Sequence, residues 1–172
     1  MQHGKACGMS SSILAAFLGA AFWLLAGLPA LAQSPAGTVT EARDLAAEAR
    51  QAAARGVPLV VLYSRDDCSW CAKLRREQLG PLSRNPATPA VIRELHMDRA
   101  TPLVDFAGRR TTSADFSKQM QARFAPTVMF HGPDGAQLAE SIVGYRLADF
   151  YGAYLDRAIE ESQAQLQQRK PQ

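Results

Sequence analysis

Leu59-Val60-Val61-Leu62-Tyr63-Ser64-Arg65-Asp66-Asp67-Cys68-Ser69-Trp70-Cys71 passes from an unbroken apolar run into a short polar loop and then into two cysteines. A continuous run of this kind, opened by Pro58, predicts a strand covered on both faces, as in a parallel or mixed sheet. Helix-forming residues follow to about Leu79, where Gly80 and Pro81 predict the stop. Both cysteines therefore fall at a strand-to-helix turn.

Working outward, Thr38-Val39-Thr40-Glu41 has the pattern of a capping box, and the Ala-rich stretch to about Arg55 predicts a helix closed by Gly56. On the other side, closely spaced prolines make Leu82 to Pro89 a loop, and Ala90 to Met97 reads as a second strand. Asp98 to Thr112 shows no clear periodicity. Ser113 is placed to cap a helix through about Arg123, and Thr127 to Phe130 is a strand. Gly132-Pro133-Asp134-Gly135 is a turn, with Gln137 to Val143 as the antiparallel partner beyond it. A last amphipathic helix is expected from about Leu147 to Ser162, with Leu147, Phe150, Tyr151, Tyr154 and Leu155 on its inner stripe. Phe106, Phe116, Phe124 and Phe130 are expected core. This order predicts an α/β fold, a central mixed sheet of about four to five strands flanked by helices.

The first residues read as an address. Lys5 gives a positive start, Ile13 to Leu28 carries no charge, and Ala30-Leu31-Ala32 places small side chains where signal peptidase reads them. Residues 1–32 are thus expected to be a signal peptide cleaved after Ala32, residues 33–162 one soluble domain, and the Gln-rich end, 163–172, a flexible polar tail. The competing reading is an uncleaved membrane anchor, since the apolar stretch approaches the roughly 20 residues that span a bilayer. Gly19, Gly27 and Pro29 interrupt it. Either way the domain is expected outside the cytoplasm, in the periplasm. The whole chain has 19 Lys plus Arg against 16 Asp plus Glu. So small an excess argues against a dedicated nucleic-acid surface, which needs a concentrated basic face.

Of the 3 cysteines, Cys7 lies in the expected leader, which leaves Cys68 and Cys71. A bridge closing so short a loop stabilises by only about 2 kcal/mol, against nearly 5 for a loop of about 100 residues. Stapling is therefore a poor reason for the pair, and exchange chemistry a better one. Thiol-disulfide exchange needs an attacking thiolate and a second thiol near enough to resolve the mixed disulfide. A helical first turn supplies unpaired N–H groups that favour the anion. Lys73, Arg75 and Arg76 add positive charge nearby, while Asp66 and Asp67 oppose it or are simply loop residues. The same spacing supplies half of many zinc sites. With His96 and His131 distant in sequence and read as structural or exposed, no metal is expected, and no cofactor is required.

Cys68-Ser69-Trp70-Cys71 after a hydrophobic strand, Ala125-Pro126-Thr127 leading into an apolar strand, and Val143-Gly144-Tyr145 before the last helix together resemble the thioredoxin superfamily over nearly the whole expected mature chain. The Cys-x-aromatic-Cys form followed by a Leu-Arg-Arg-Glu helix looks like exported members, including the SoxW-type proteins of sulfur-oxidation systems. The resemblance implies a thioredoxin-like fold and a cis Pro126 facing the cysteines. It also implies that the backbone of Ala125 pairs with an extended substrate segment, so that Trp70, Ala125, Pro126 and Thr127 form the substrate-docking set. Two departures stand out. Leu62 occupies the position six before the first cysteine where thioredoxins carry a buried acid, and Trp70 replaces the proline of their motif. Trp70 either grips substrate or packs on the neighbouring loop.

The expectation is therefore an exported thiol-disulfide oxidoreductase with Cys68 and Cys71 as the catalytic pair, acting on protein thiols and disulfides. Potentials in such proteins span roughly −270 to −120 mV, and the periplasm is kept oxidising. A reductase, the favoured direction, would then need a membrane redox partner. The alternatives are a copper or zinc carrier using both cysteines and a histidine, and a thioredoxin-fold binding module without turnover.

Overall fold

The computed structural model describes residues 37–169. The expected signal peptide and its cleavage site lie outside them. Among the described residues no helix is long and apolar enough to cross a membrane.

The run Leu59–Ser64 is strand β1, every residue of which is buried. It pairs in parallel with β2 (Val91–His96) and antiparallel with β5 (Thr127–His131), which pairs in turn with the short β6 (Ile142–Val143). The sheet order is β2-β1-β5-β6, a mixed sheet with the apolar run at its centre. Because side chains alternate across a strand, β1 feeds two cores. Val60 and Leu62 meet Leu74, Leu79, Phe130, Tyr151 and Leu155 on one face. Leu59, Val61 and Tyr63 meet Leu45, Ala49, Leu95, Phe116 and Met129 on the other. Those partners come from helices α1 (Leu45–Ala54), α2 (Ser69–Leu74), α4 (Ser113–Gln119) and α5 (Ala148–Gln168), from the turn that follows α2, and from the sheet.

Several boundaries differ from the sequence reading. Thr38 to Glu41 caps no helix; Thr40 and Ala42 hydrogen-bond to Glu94 along the outer edge of β2. That edge offers a row of backbone groups needing partners, and α1 begins only after Asp44, whose carboxylate accepts from the Ala47 N–H at 2.8 Å. Gly56, at φ +69°, ends it as expected.

Gly80 and Pro81 do not stop the helix that follows the cysteines. A π-helical turn, Arg75–Leu79, joins α2 to α3 (Gly80–Arg84), with the Gly80 N–H donating to the Arg75 carbonyl. Proline has no N–H and its ring crowds the carbonyl four residues back, so the widened turn lies where a regular helix would be broken. A Cβ at position 80 would fall 2.6 Å from the Arg75 carbonyl oxygen, which is why the turn carries glycine there.

The stretch without periodicity holds the small hairpin β3 (Pro102–Val104) and β4 (Arg110–Thr112). Asp105 shapes its turn by accepting from the N–H groups of Ala107 and Arg109, each at 2.9 Å. Helix α4 is capped by Thr112, not Ser113, and ends at Gln119. The partner of β5 is reduced to the bridge His131–Gln137 and to β6.

Helix α5 runs to Gln168 because Ile159, Ser162 and Leu166 continue its buried stripe, so the polar tail does not begin at Gln163. Tyr151 and Leu155 face inward as expected, whereas Leu147, Phe150 and Tyr154 are exposed, and Phe124 is exposed rather than core.

His131 closes β5 with its ring buried against Phe106, centroids 4.9 Å apart, and its Nδ1–H directed at the Gly135 carbonyl. Burial pulls its pKa down from 6.5 to about 4. The unfolded chain then binds the extra proton between those values, so His131 withdraws stability as pH falls from 6.5 toward 4 and contributes no further change below. The full loss is about 3 kcal/mol. Across that window the urea midpoint of the wild type should fall relative to that of His131→Leu on acidification; parallel pH profiles would contradict a buried neutral imidazole.

Candidate functional site

The loop Arg65 to Asp67 brings the chain out of β1 and back into α2, placing Cys68 at the helix N-cap. Cys68 and Cys71 are joined by a disulfide with Cα atoms 5.2 Å apart. The two sulfurs are not equivalent. Cys71 is fully buried, Cys68 only half-buried, and the Cys68 Sγ accepts from the Cys71 N–H at 3.0 Å. Negative charge arising on Cys68 when the bond is opened is met by that N–H and by the positive end of the first helical turn.

Beside the pair lies an open groove of about 430 Å³, lined by Trp70 and Lys73 from α2, Ala125 and Pro126 from the loop before β5, and Gly144 to Ala148 from the loop entering α5. The Ala125–Pro126 peptide bond is cis, as the resemblance implies. Trp70 is 55% exposed and meets Tyr145 edge-on at 6.4 Å, so it both packs on the neighbouring loop and presents a face to the groove. Tyr145 is fixed in turn, its hydroxyl donating to Glu77 at 3.0 Å and its ring set against Tyr151.

Ala125 makes no backbone hydrogen bond among the described residues, while its neighbour Pro126 accepts from Gly144. Trp70, Ala125 and Pro126 are thus brought together. Thr127 is not on the groove wall. It is buried within β5, and its hydroxyl donates to the Phe124 carbonyl at 2.7 Å, holding the loop in shape.

The sequence reading missed Glu94. It is 4% exposed on β2, and its Cα is the register partner of Leu62, so a buried acid stands one strand away from the position where thioredoxins carry theirs. Its carboxylate accepts from the Ser64 hydroxyl and pairs with Arg75, one turn beyond Cys71. His96 lies between it and the surface, with Nε2 3.9 Å from Glu94 and Nδ1 2.9 Å from Asp66. Arg99, bonded to Asp66, holds that exposed carboxyl below the ordinary carboxylate range. The only hint of Glu94 in the sequence is an acid flanked by Ile92 and Leu95 in the segment Val91–His96.

Among the described residues one grouping has ligand spacing for a metal ion, Asp66, His96 and Asp98. It includes neither cysteine, and Arg99 already neutralises Asp66. His131 is enclosed elsewhere, at the far end of β5.

A family model for a thioredoxin-like domain matches residues 45–159. The chain belongs to the thioredoxin-like family. It is accordingly a thiol-disulfide oxidoreductase, with Cys68 and Cys71 held at disulfide distance. Similar solved structures include the Malassezia sympodialis thioredoxin Mala s 13, 16% identical with a TM-score of 0.50, covering 76% of this chain and 96% of that one. Oxidised mitochondrial thioredoxin 3 of Saccharomyces cerevisiae is 17% identical, with a TM-score of 0.47 and coverage of 72% and 94%. Reduced periplasmic thioredoxin SoxS of Paracoccus pantotrophus is 20% identical, with a TM-score of 0.43 and coverage of 61% and 98%. At these identities the likeness is one of fold. No curated protein matches the sequence.

Removing one partner of a buried ion pair strands the other charge. Arg75→Met should therefore lower the unfolding free energy of this thioredoxin-like domain by about 3 kcal/mol, and adding Glu94→Leu should restore most of it. Equal urea midpoints for the single and double variants would show that the pair does not carry this load.

Proposed function

We propose that this protein is an exported reductase of protein disulfides, with Cys68 as the attacking sulfur and Cys71 as the resolving one. The observation that carries the assignment is the asymmetry of the pair: a half-buried sulfur at a helix N-cap, a sealed one behind it, and a groove alongside. In the dithiol form, the Cys68 thiolate attacks one sulfur of a partner's disulfide, forming a mixed disulfide and expelling the other sulfur as thiolate. Cys71 then loses its proton and attacks Cys68 Sγ, releasing the partner's second thiolate and closing the 68–71 bond. Two electrons and two protons pass to the partner.

The docking set is Trp70, Ala125 and Pro126, with the free backbone groups of Ala125 available to an extended segment. Thr127 supports them from behind. Export rests on the leader pattern of residues 1–32 with cleavage after Ala32. In an oxidising periplasm the direction then requires a membrane protein that returns the pair to the dithiol. Direction itself rests on resemblance, as does the narrower likeness to SoxW-type proteins. The metal-carrier alternative would need a histidine beside both cysteines; the grouping with ligand spacing among the described residues, Asp66, His96 and Asp98, includes neither cysteine.

Reduction of insulin by dithiothreitol, followed by turbidity, checks the roles of the two sulfurs. Cys68→Ser should lose turnover entirely, and Cys71→Ser should accumulate mixed disulfides visible on non-reducing gels. Undiminished turnover by the Cys68 variant would defeat the assignment. Equilibrium titration against glutathione tests direction, a strongly reducing midpoint favouring the reductase and a DsbA-like one the oxidase.

A further inference from the structure

Almost every cation around the redox pair already has a carboxylate. Arg65 pairs with Asp67, Arg75 with Glu94, Arg76 with Glu77 and Arg99 with Asp66. The two that line the groove, Lys73 and Arg146, form no ion pair among the described residues, and no acid lines the groove with them. Lys73 is not loose. Its Nζ lies 5.6 Å from the centre of the Trp70 ring and 5.9 Å from that of Tyr145, so its charge is held against the apolar wall.

Arg146 is exposed on a loop bracketed by two left-handed residues, Gly144 at φ +82° and Leu147 at φ +52°. A leucine adopts that conformation at a cost. Leu147 does not recover it by burial, since its side chain is 66% exposed and lines the groove. On the opposite flank of Cys68 the acids are already compensated, Asp67 by Arg65 and Asp66 by Arg99. The uncompensated charge beside the sulfur is therefore cationic, and it lies with apolar surface on the groove side.

We propose that the groove selects partner segments in which an aspartate or glutamate and an apolar side chain lie on one flank of the reacting cysteine. The acid meets Lys73 and Arg146, and the apolar side chain lies on Trp70 and Leu147. This rests on the oxidoreductase reading above and adds to it the chemical class of the partner sequence. The pairs are half-exposed, so the discrimination is modest and salt-sensitive.

The experiment uses three peptide disulfides that share a cysteine and a neighbouring leucine and differ only in flanking Glu, Gln or Lys, with kcat/KM measured at low and high salt. The Glu peptide should exceed the Lys peptide by roughly five-fold at low salt, with the Gln peptide between them and the spread collapsing at high salt. In Arg146→Glu, where the introduced carboxylate offsets Lys73, with each rate normalised to that variant's own rate on the Gln peptide, the spread should collapse even at low salt. Equal rates for all three peptides with the unaltered protein, or an undiminished spread in the variant, would overturn the charge preference and leave the oxidoreductase intact. Exchange with none of the three, the Gln peptide included, would overturn both.

Discussion

Glu94 joins three pieces of this molecule through one carboxylate. It sits on β2, accepts from a hydroxyl at the end of β1, and binds the guanidinium of Arg75 on the helix that carries the cysteines. The backbone of the same residue bonds to Thr40 and Ala42, which run along the outside of the sheet. A charge this deeply buried is tolerated only with its partners in place, so the strand ends, the leading segment and the redox helix are held to one arrangement. The position of Cys68 follows from that arrangement.

Around it the apolar layers do less specific work. Burial on both faces of β1 drives collapse and sets the alternation of its side chains, but hydrophobic packing is non-directional and tolerates changes of shape. The placement of a sulfur relative to a groove demands more. Here it comes from polar fixtures: the Thr127 hydroxyl on the Phe124 carbonyl, the Tyr145 hydroxyl on Glu77, and the Cys71 N–H on the Cys68 sulfur.

What could be read from the sequence follows the same division. The central strand, the helix after it and the redox pair were legible because they rest on local pattern, an unbroken apolar run and a cysteine spacing. Resemblance added the cis proline and the groove's outline. The missed features depend on partners distant along the chain. Thr38 to Glu41 has the local form of a cap, yet the open edge of β2 claims its backbone. Leu147, Phe150 and Tyr154 share a helical stripe with Tyr151, but the sheet covers only one side of α5. Glu94 could not be singled out without knowing that β2 lies beside β1 and beneath Arg75.

The π turn between Cys71 and Pro81 has a mechanical corollary. Leu74 and Leu79 are both fully buried although five residues apart, a separation that an ordinary α-helix would turn to different sides. The wide turn absorbs one surplus residue and so resets the rotational phase of everything after it. The segment bearing the sulfurs and the segment from Gly80 to Arg84 are consequently aligned to the core independently. Deleting a single residue within the turn would remove that surplus and return the segment to a regular α-helix, with both halves still facing the core.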